Sequence, residues 1–71
     1  MEFEYLIQAY ERDGQRMYLY RVAFRDVDES GWEYMNEYWT FRKDDETEYH
    51  FANAELAVMF AEQNQWKVVD L

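Results

Sequence analysis

The 71-residue chain has no cysteine and no proline, only two glycines, one serine (Ser30) and one histidine (His50). Without cysteine there is no disulfide framework and no thiolate nucleophile. Gly14 and Gly31 stand far apart, which excludes a glycine-rich loop that cradles phosphate. A single serine, a single histidine and two threonines, Thr40 and Thr47, do not assemble a nucleophile, a base and a group to orient it. The expectation is a non-enzymatic protein with no cofactor. No apolar run approaches the ~20 residues of a membrane span, and the first residues lack the basic start and apolar stretch of a signal peptide. The sequence therefore predicts a cytoplasmic protein that does not enter a membrane.

Bases are also scarce. Seven Lys and Arg face sixteen Asp and Glu, a formal net charge of -9 at pH 7, which argues against direct binding to nucleic acid. The excess is not a tail, because residues 1–35 carry 8 acids and 4 bases and residues 36–71 carry 8 acids and 3 bases. What is plentiful is aromatic. Seven Tyr, five Phe and three Trp outnumber the ten Leu, Ile and Val, a mix that favours sheets. Each ring can bury about 150–250 Å², so fifteen exceed what one small core needs. The expected core is Phe3, Tyr5, Tyr20, Phe24, Phe51, Phe60 and Trp66. Of Tyr10, Trp32, Tyr34 and Tyr38, which are harder to bury, two are expected to be exposed near acids.

Nothing marks an internal boundary, and one domain over 1–71 is expected. Glu2 to Tyr10 alternates with period two, placing Phe3, Tyr5, Ile7 and Ala9 on one face and Glu2, Glu4 and Gln8 on the other, as in a strand. Asp13-Gly14 follows, a pair suited to a two-residue turn whose central residues both need positive φ. Alternation resumes from Arg16 to Val27, with Tyr18, Tyr20, Val22 and Phe24 opposite Met17, Leu19, Arg21 and Arg25. A hairpin over residues 2–27 is predicted. Residues 30–37 stay open, since Ser30 and Glu33 have capping-box spacing while the next residues read as a strand at 38–43. Lys43 to Glu46 reads as a turn and Thr47 to Phe51 as its second strand. Asn53 is placed to cap a helix with Glu55 in its first turn. Leu56, Met59, Phe60 and Gln63 would form one helical face, with Ala57 and Ala61 allowing close approach to a sheet. Asn64 would stop the helix in a left-handed conformation, and Trp66 to Leu71 would end the chain as a strand. The fold class predicted is α+β: a small antiparallel sheet of four to five strands, order ββββαβ, with one C-terminal helix packed on one face.

Residues i and i+2 of a strand stand on one face about 6.8 Å apart. Glu2 with Glu4 and Glu46 with Glu48 meet that condition, and Asp44 and Asp45 extend the second group. Carboxylates so spaced can imitate consecutive phosphates and attract the Lys/Arg grooves of nucleic-acid-binding proteins; acid can also serve solubility alone. Tyr34 and Tyr38 would supply aromatic anchors beside the charge. The leading expectation is an inhibitor or nucleic-acid-mimicking decoy of a basic nucleic-acid-binding protein. The alternative is a structural or accessory module, such as a homodimer that buries its surplus rings across a sheet edge.

Asp26-Val27-Asp28-Glu29-Ser30-Gly31 with Glu37 six residues on resembles the EF-hand calcium loop over twelve residues. That resemblance implies Asp26, Asp28, Ser30 and Glu37 as ligands, although the preceding segment alternates like a strand and no second loop is present. A calcium-binding loop is the third expectation. Phe51-Ala52-Asn53 through Ala57, Phe60-Ala61-Glu62 and Trp66 is similar to the strand–helix–Trp ending of an accessory subunit of respiratory complex I, and implies helix-on-sheet packing. In composition the whole chain resembles phage-encoded anti-restriction and anti-CRISPR inhibitors, which implies an anti-defence role without a catalytic site.

Overall fold

A computed structural model describes residues 2–71. The chain runs β1 (Glu2–Arg12), β2 (Gln15–Val27), β3 (Glu33–Lys43), β4 (Glu48–Phe51), α1 (Ala54–Gln63) and β5 (Lys67–Val69). One five-stranded sheet has the order β4-β3-β2-β1-β5 with every neighbouring pair antiparallel. The architecture is the expected ββββαβ, α+β arrangement.

The turns follow from local chemistry. Asp13 and Gly14 both adopt positive φ (51° and 79°), the two-residue geometry whose twist matches the flanking strands. Between β2 and β3, Asp28 Oδ1 accepts hydrogen bonds from the Ser30 and Trp32 amides and from Ser30 Oγ, while Gly31 takes φ 87°. Ser30 therefore belongs to an Asx-type turn and caps no helix. The ladder resumes at Glu33, five residues before the strand expected from Tyr38.

Asn53 caps α1 as its position predicts, its side-chain oxygen accepting from the Leu56 amide at 2.9 Å. The helix ends one residue differently from expectation. Asn64 has φ -102° and Gln65 is the left-handed residue, at 62°. Gln65 N–H donates to the Glu62 carbonyl and Trp66 N–H to the Ala61 carbonyl, the paired bonds of a Schellman ending. That closure drops the Trp66 ring into the core beside Ala61.

The core is Tyr10, Met17, Leu19, Phe41, Ala57, Ala61 and Trp66, flanked by Trp39, Tyr49, Phe51 and Phe60. Phe41 packs edge-on against Tyr10 and Phe51, and Phe60 stacks near Tyr49 and Phe51. The core and the inward face of the helix both differ from those expected. Phe3 and Tyr5 are exposed, and Tyr20 and Phe24 lie half-buried on the helix-free face. The helix turns Ala57 and Ala61 inward with Phe60, leaving Leu56 and Met59 in solvent. Tyr10, expected to resist burial, is in the core. Its placement comes from a β-bulge between Leu6 and Gln8, which shifts the register so that Phe3, Tyr5 and Tyr10 share a face and Ala9 takes the other.

The face choice has a physical cause. On the Met17–Leu19 face, cross-strand rows bring Leu19, Phe41 and Tyr49 together and set Trp39 beside Phe51. The opposite face interleaves its rings with Glu4, Arg42 and Glu48, charges that a covering helix would strip of water.

The molecule is long for its mass, with extents of 47 × 21 × 20 Å and a radius of gyration of 13.9 Å. A compact domain of this length has about 11 Å. Phe41→Ala should cost about 3–5 kcal/mol, because it empties a fully buried ring site. Phe3→Ala should cost under about 1 kcal/mol, because that ring lies outside the covered region. Denaturant unfolding of the two variants checks this, and equal losses would place the core elsewhere.

Candidate functional site

Only one end of the sheet is covered. β4 pairs with β3 over Trp39–Arg42, and β5 pairs with β1 over Ala9–Glu11. Beyond them, Glu2–Gln8 of β1, the second half of β2 and Glu33–Tyr38 of β3 form a bare three-stranded projection. Phe3, Tyr5, Leu6 and Ile7 are each 45–48% exposed there, and Trp32 at the far turn is 71% exposed.

On the helix side of this projection, Phe3, Tyr5, Ala23 and Met35 line a cleft of about 690 Å³. Ala23, nearly buried, lies directly between Phe3 and Glu37 in the ladder. The Arg21 guanidinium donates to Glu37 at 2.6 Å at one end of the cleft and lies 5.5 Å from the Tyr5 ring centroid. The concavity continues the core face past the point where α1 stops covering it.

The helix-free face carries the expected aromatic and acidic residues in ordered rows. Ala9, Tyr18, Arg42 and Glu48 form one row, Leu6, Tyr20, Thr40 and His50 the next, then Glu4, Val22 and Tyr38, then Glu2, Phe24 and Asn36. Arg42 crosses two rows. Its guanidinium passes 4.8 Å from the Tyr20 ring centroid and binds both carboxylate oxygens of Glu4, while its Nε sits 3.1 Å from Glu48. The hydrogen bond to Arg42 holds the Glu4 carboxyl below its ordinary value of 4.5, and the same bond pushes Arg42 up. His50 Nε2 lies 3.1 Å from Glu48 and its ring stacks 4.9 Å from Tyr38. Desolvation, with Glu2 next, raises the Tyr38 hydroxyl.

The six acids predicted for partner binding therefore do not form one row. Glu2 and Glu4 flank the aromatic face, and Glu4 and Glu48 are both tied to Arg42. Asp44, Asp45 and Glu46 sit in the β3–β4 turn beside the end of the β1–β2 hairpin, about seven residues or ~24 Å along the strands from Glu2. Asp45 is engaged, accepting from the Thr47 amide at 3.0 Å, and the Thr47 hydroxyl first, with that amide next, lowers its carboxyl. Tyr38 lies among the acids as expected, and exposed Tyr34 donates to Asp26 at 3.1 Å.

The calcium-loop residues do not converge. Asp26 accepts from the Val27 amide and the Tyr34 hydroxyl, and Asp28 is filled by the Ser30 and Trp32 contacts. Ladder parity puts Asp26 on the helix-free face and Glu37 on the other, paired to Arg21. No metal-holding group of His, Asp and Glu occurs among the described residues, and none of their helices is long and apolar enough to cross a membrane. Comparisons with protein-family models, curated proteins and solved structures return no match for this chain.

Two parts of the surface escaped sequence reasoning: the Arg42 bridge and the Phe3–Met35 cleft. Arg42 alternates with Thr40 and Tyr38, so its face was readable, but its partner Glu4 lies 38 positions away. A native carboxyl held below its ordinary value stabilises the fold above that value, and loses the contribution as pH falls through the lowered one. In a carboxyl-carbon NMR titration, Glu4 should titrate below 4.5, and Arg42→Gln should return it toward 4.5. A midpoint unmoved by that substitution would show that the bridge does not form in solution.

Proposed function

We propose that this protein is a non-enzymatic, acidic protein-binding module that inhibits or decoys a basic, nucleic-acid-binding protein, in the manner of phage anti-defence inhibitors. The observation that carries this reading is how completely its cations are used. Arg16, Arg21, Arg25, Arg42 and Lys43 each face a carboxylate within 4 Å. Arg12 lies over the Trp66 ring at 4.3 Å and donates to the Asn64 carbonyl. Ten of the sixteen acids have no ion-pair partner among the described residues. The charge left without an ion-pair partner among the described residues is thus mostly negative, which steers association toward a basic partner.

Magnitude refines the kind of mimicry. A net charge of -9 along 47 Å is about one charge per 5 Å, against one per ~1.7 Å for duplex DNA. The chain does not match a duplex along its length. Its clusters, Asp44 to Glu46 at one end and Asp28, Glu29 and Glu2 toward the other, suit separate basic patches.

A second reading rests on the bare apolar projection: a structural or accessory module that forms a homodimer through these rings. Sedimentation separates the two, because a monomer at all concentrations removes the dimer.

The test of the first reading is capture of partners from a host lysate by tagged protein at low and high salt, with added nucleic acid as competitor. The expected result is a basic nucleic-acid-binding protein that is released by salt and displaced by the competitor. The triple variant Asp44→Asn, Asp45→Asn, Glu46→Gln keeps the turn's acceptors and should weaken capture severalfold at low salt. A partner indifferent to salt, competitor and charge removal would overturn the decoy role.

A further inference from the structure

The sheet has two long open edges on its bare projection, and they differ. Along β3, Glu33 pairs with Arg25 at 3.7 Å and Glu37 with Arg21 at 2.6 Å, so the edge strand is dressed with charge. Along β1, residues Phe3, Tyr5, Leu6 and Ile7 are exposed, and the strand has no Lys, Arg or Pro before Arg12. Its charges in this stretch are Glu2 and Glu4, and Arg42 already neutralises Glu4. Among the described residues no strand pairs with the outer side of Glu2–Gln8, because the β5 ladder stops at Ala9, where the Gln8 side chain donates to the Val69 carbonyl. Alternate backbone N–H and C=O groups of an edge strand point outward and form a template for another strand.

We propose that this edge binds an extended segment of the partner by strand addition, and that the segment alternates apolar residues with Lys or Arg. The proposal rests on the acidic-module reading and supplies its docking mode. The two faces of β1 dictate the alternation. Side chains of an added strand that point to the helix side meet Phe3 and Tyr5, next to the cleft floored by Ala23 and closed by Met35. Those that point the other way join the face bearing Glu2, Glu4 and Leu6. A cation there meets the Glu2 carboxylate, which has no ion-pair partner among the described residues, and opposite charges across strands are favourable where like charges are not. A second copy of the chain fits worse. It would bring a further -9 and, related by a twofold axis through the joined sheet, would set two Glu2 carboxylates on the same face.

The test uses the full chain and a synthetic peptide alternating lysine and valine, followed by backbone-amide NMR. A second peptide carries N-methyl groups at every second amide and so cannot complete the ladder. The expected result is shifts centred on Glu2–Gln8 and on Arg21 and Ala23 behind them. The N-methylated peptide should bind about tenfold more weakly or worse, the loss expected from two or more net hydrogen bonds. Tyr5→Lys, a substitution at an exposed site, should weaken the unmodified peptide comparably while leaving the fold intact. If both peptides bind alike with shifts at Asp44–Glu48, strand addition is overturned while the acidic module stands. If neither peptide binds at low salt, both readings fall. A concentration-dependent dimer with protected Glu2–Gln8 amides would assign the edge to a second copy and overturn the proposal.

Discussion

A helix of ten residues is about 15 Å long, and the longest strand beneath it, thirteen residues, runs about 44 Å. That mismatch governs the molecule. With one helix and two short flanking strands, the chain can cover one end of its three-stranded meander and no more. The covered end gathers Phe41, Met17, Leu19, Tyr10 and Trp66 into a core, and Ala57 and Ala61 let the helix lie close enough to seal it. The other end has to meet water on both faces. On one face it does so by mixing rings with charge, with Arg42 held between Glu4 and Glu48. On the other it continues the apolar character of the core past its cover, which leaves the Phe3, Tyr5 and Met35 side chains around Ala23.

A bare apolar projection on a small protein invites self-association, and the net charge of -9 opposes it. Solubility and partner choice are usually set against each other as explanations of an acidic protein. Here they are the same property. Charge that keeps identical copies apart also makes a cationic surface the favoured neighbour, and five of the seven Arg and Lys side chains already face a carboxylate of their own. Because screening is largely complete beyond about 8 Å at physiological ionic strength, the acids act on whatever approaches the projection and its turns. Glu4 is one of the six acids already answered by a cation, bound by Arg42 next to the most apolar stretch of β1.

Local features were legible in the sequence. Period-two alternation located β1 and β2, Asp13-Gly14 located their turn, and Asn53 located the helix start, because each depends on residues adjacent in the chain. The core face was not legible. Both faces of β2 carry large side chains, and the choice between them is made by β3 and β4, which align Phe41, Tyr49 and Phe51 behind Leu19. The bulge after Leu6 also hid the outcome, since one extra residue moves Ala9 and Tyr10 to the faces opposite those that strict alternation implies. At Ser30 two local signals competed, and the Asx turn of Asp28 prevailed because it closes a ladder that continues from Val27 to Glu33. The acidic residues were readable as types, yet their pairing with Arg42 and their division between two ends depend on strand order.

Strand order also gives the β1 edge its meaning. Antiparallel sheets protect exposed edges with short strands, inward charges or proline, and this chain uses two of those devices. The outermost strands β4 and β5 have four and three residues. The open part of β3 carries Glu33 and Glu37, each answered by an arginine from β2. Arg21 and Arg25 therefore guard one edge of the projection, while the ladder partner of Arg21 on β1 is Tyr5, which carries no charge. A sheet unable to protect its edges would leave both bare. One that answers both β3 carboxylates with arginine and leaves Phe3, Tyr5, Leu6 and Ile7 exposed along β1 is asymmetric, and that asymmetry is what strand addition would use.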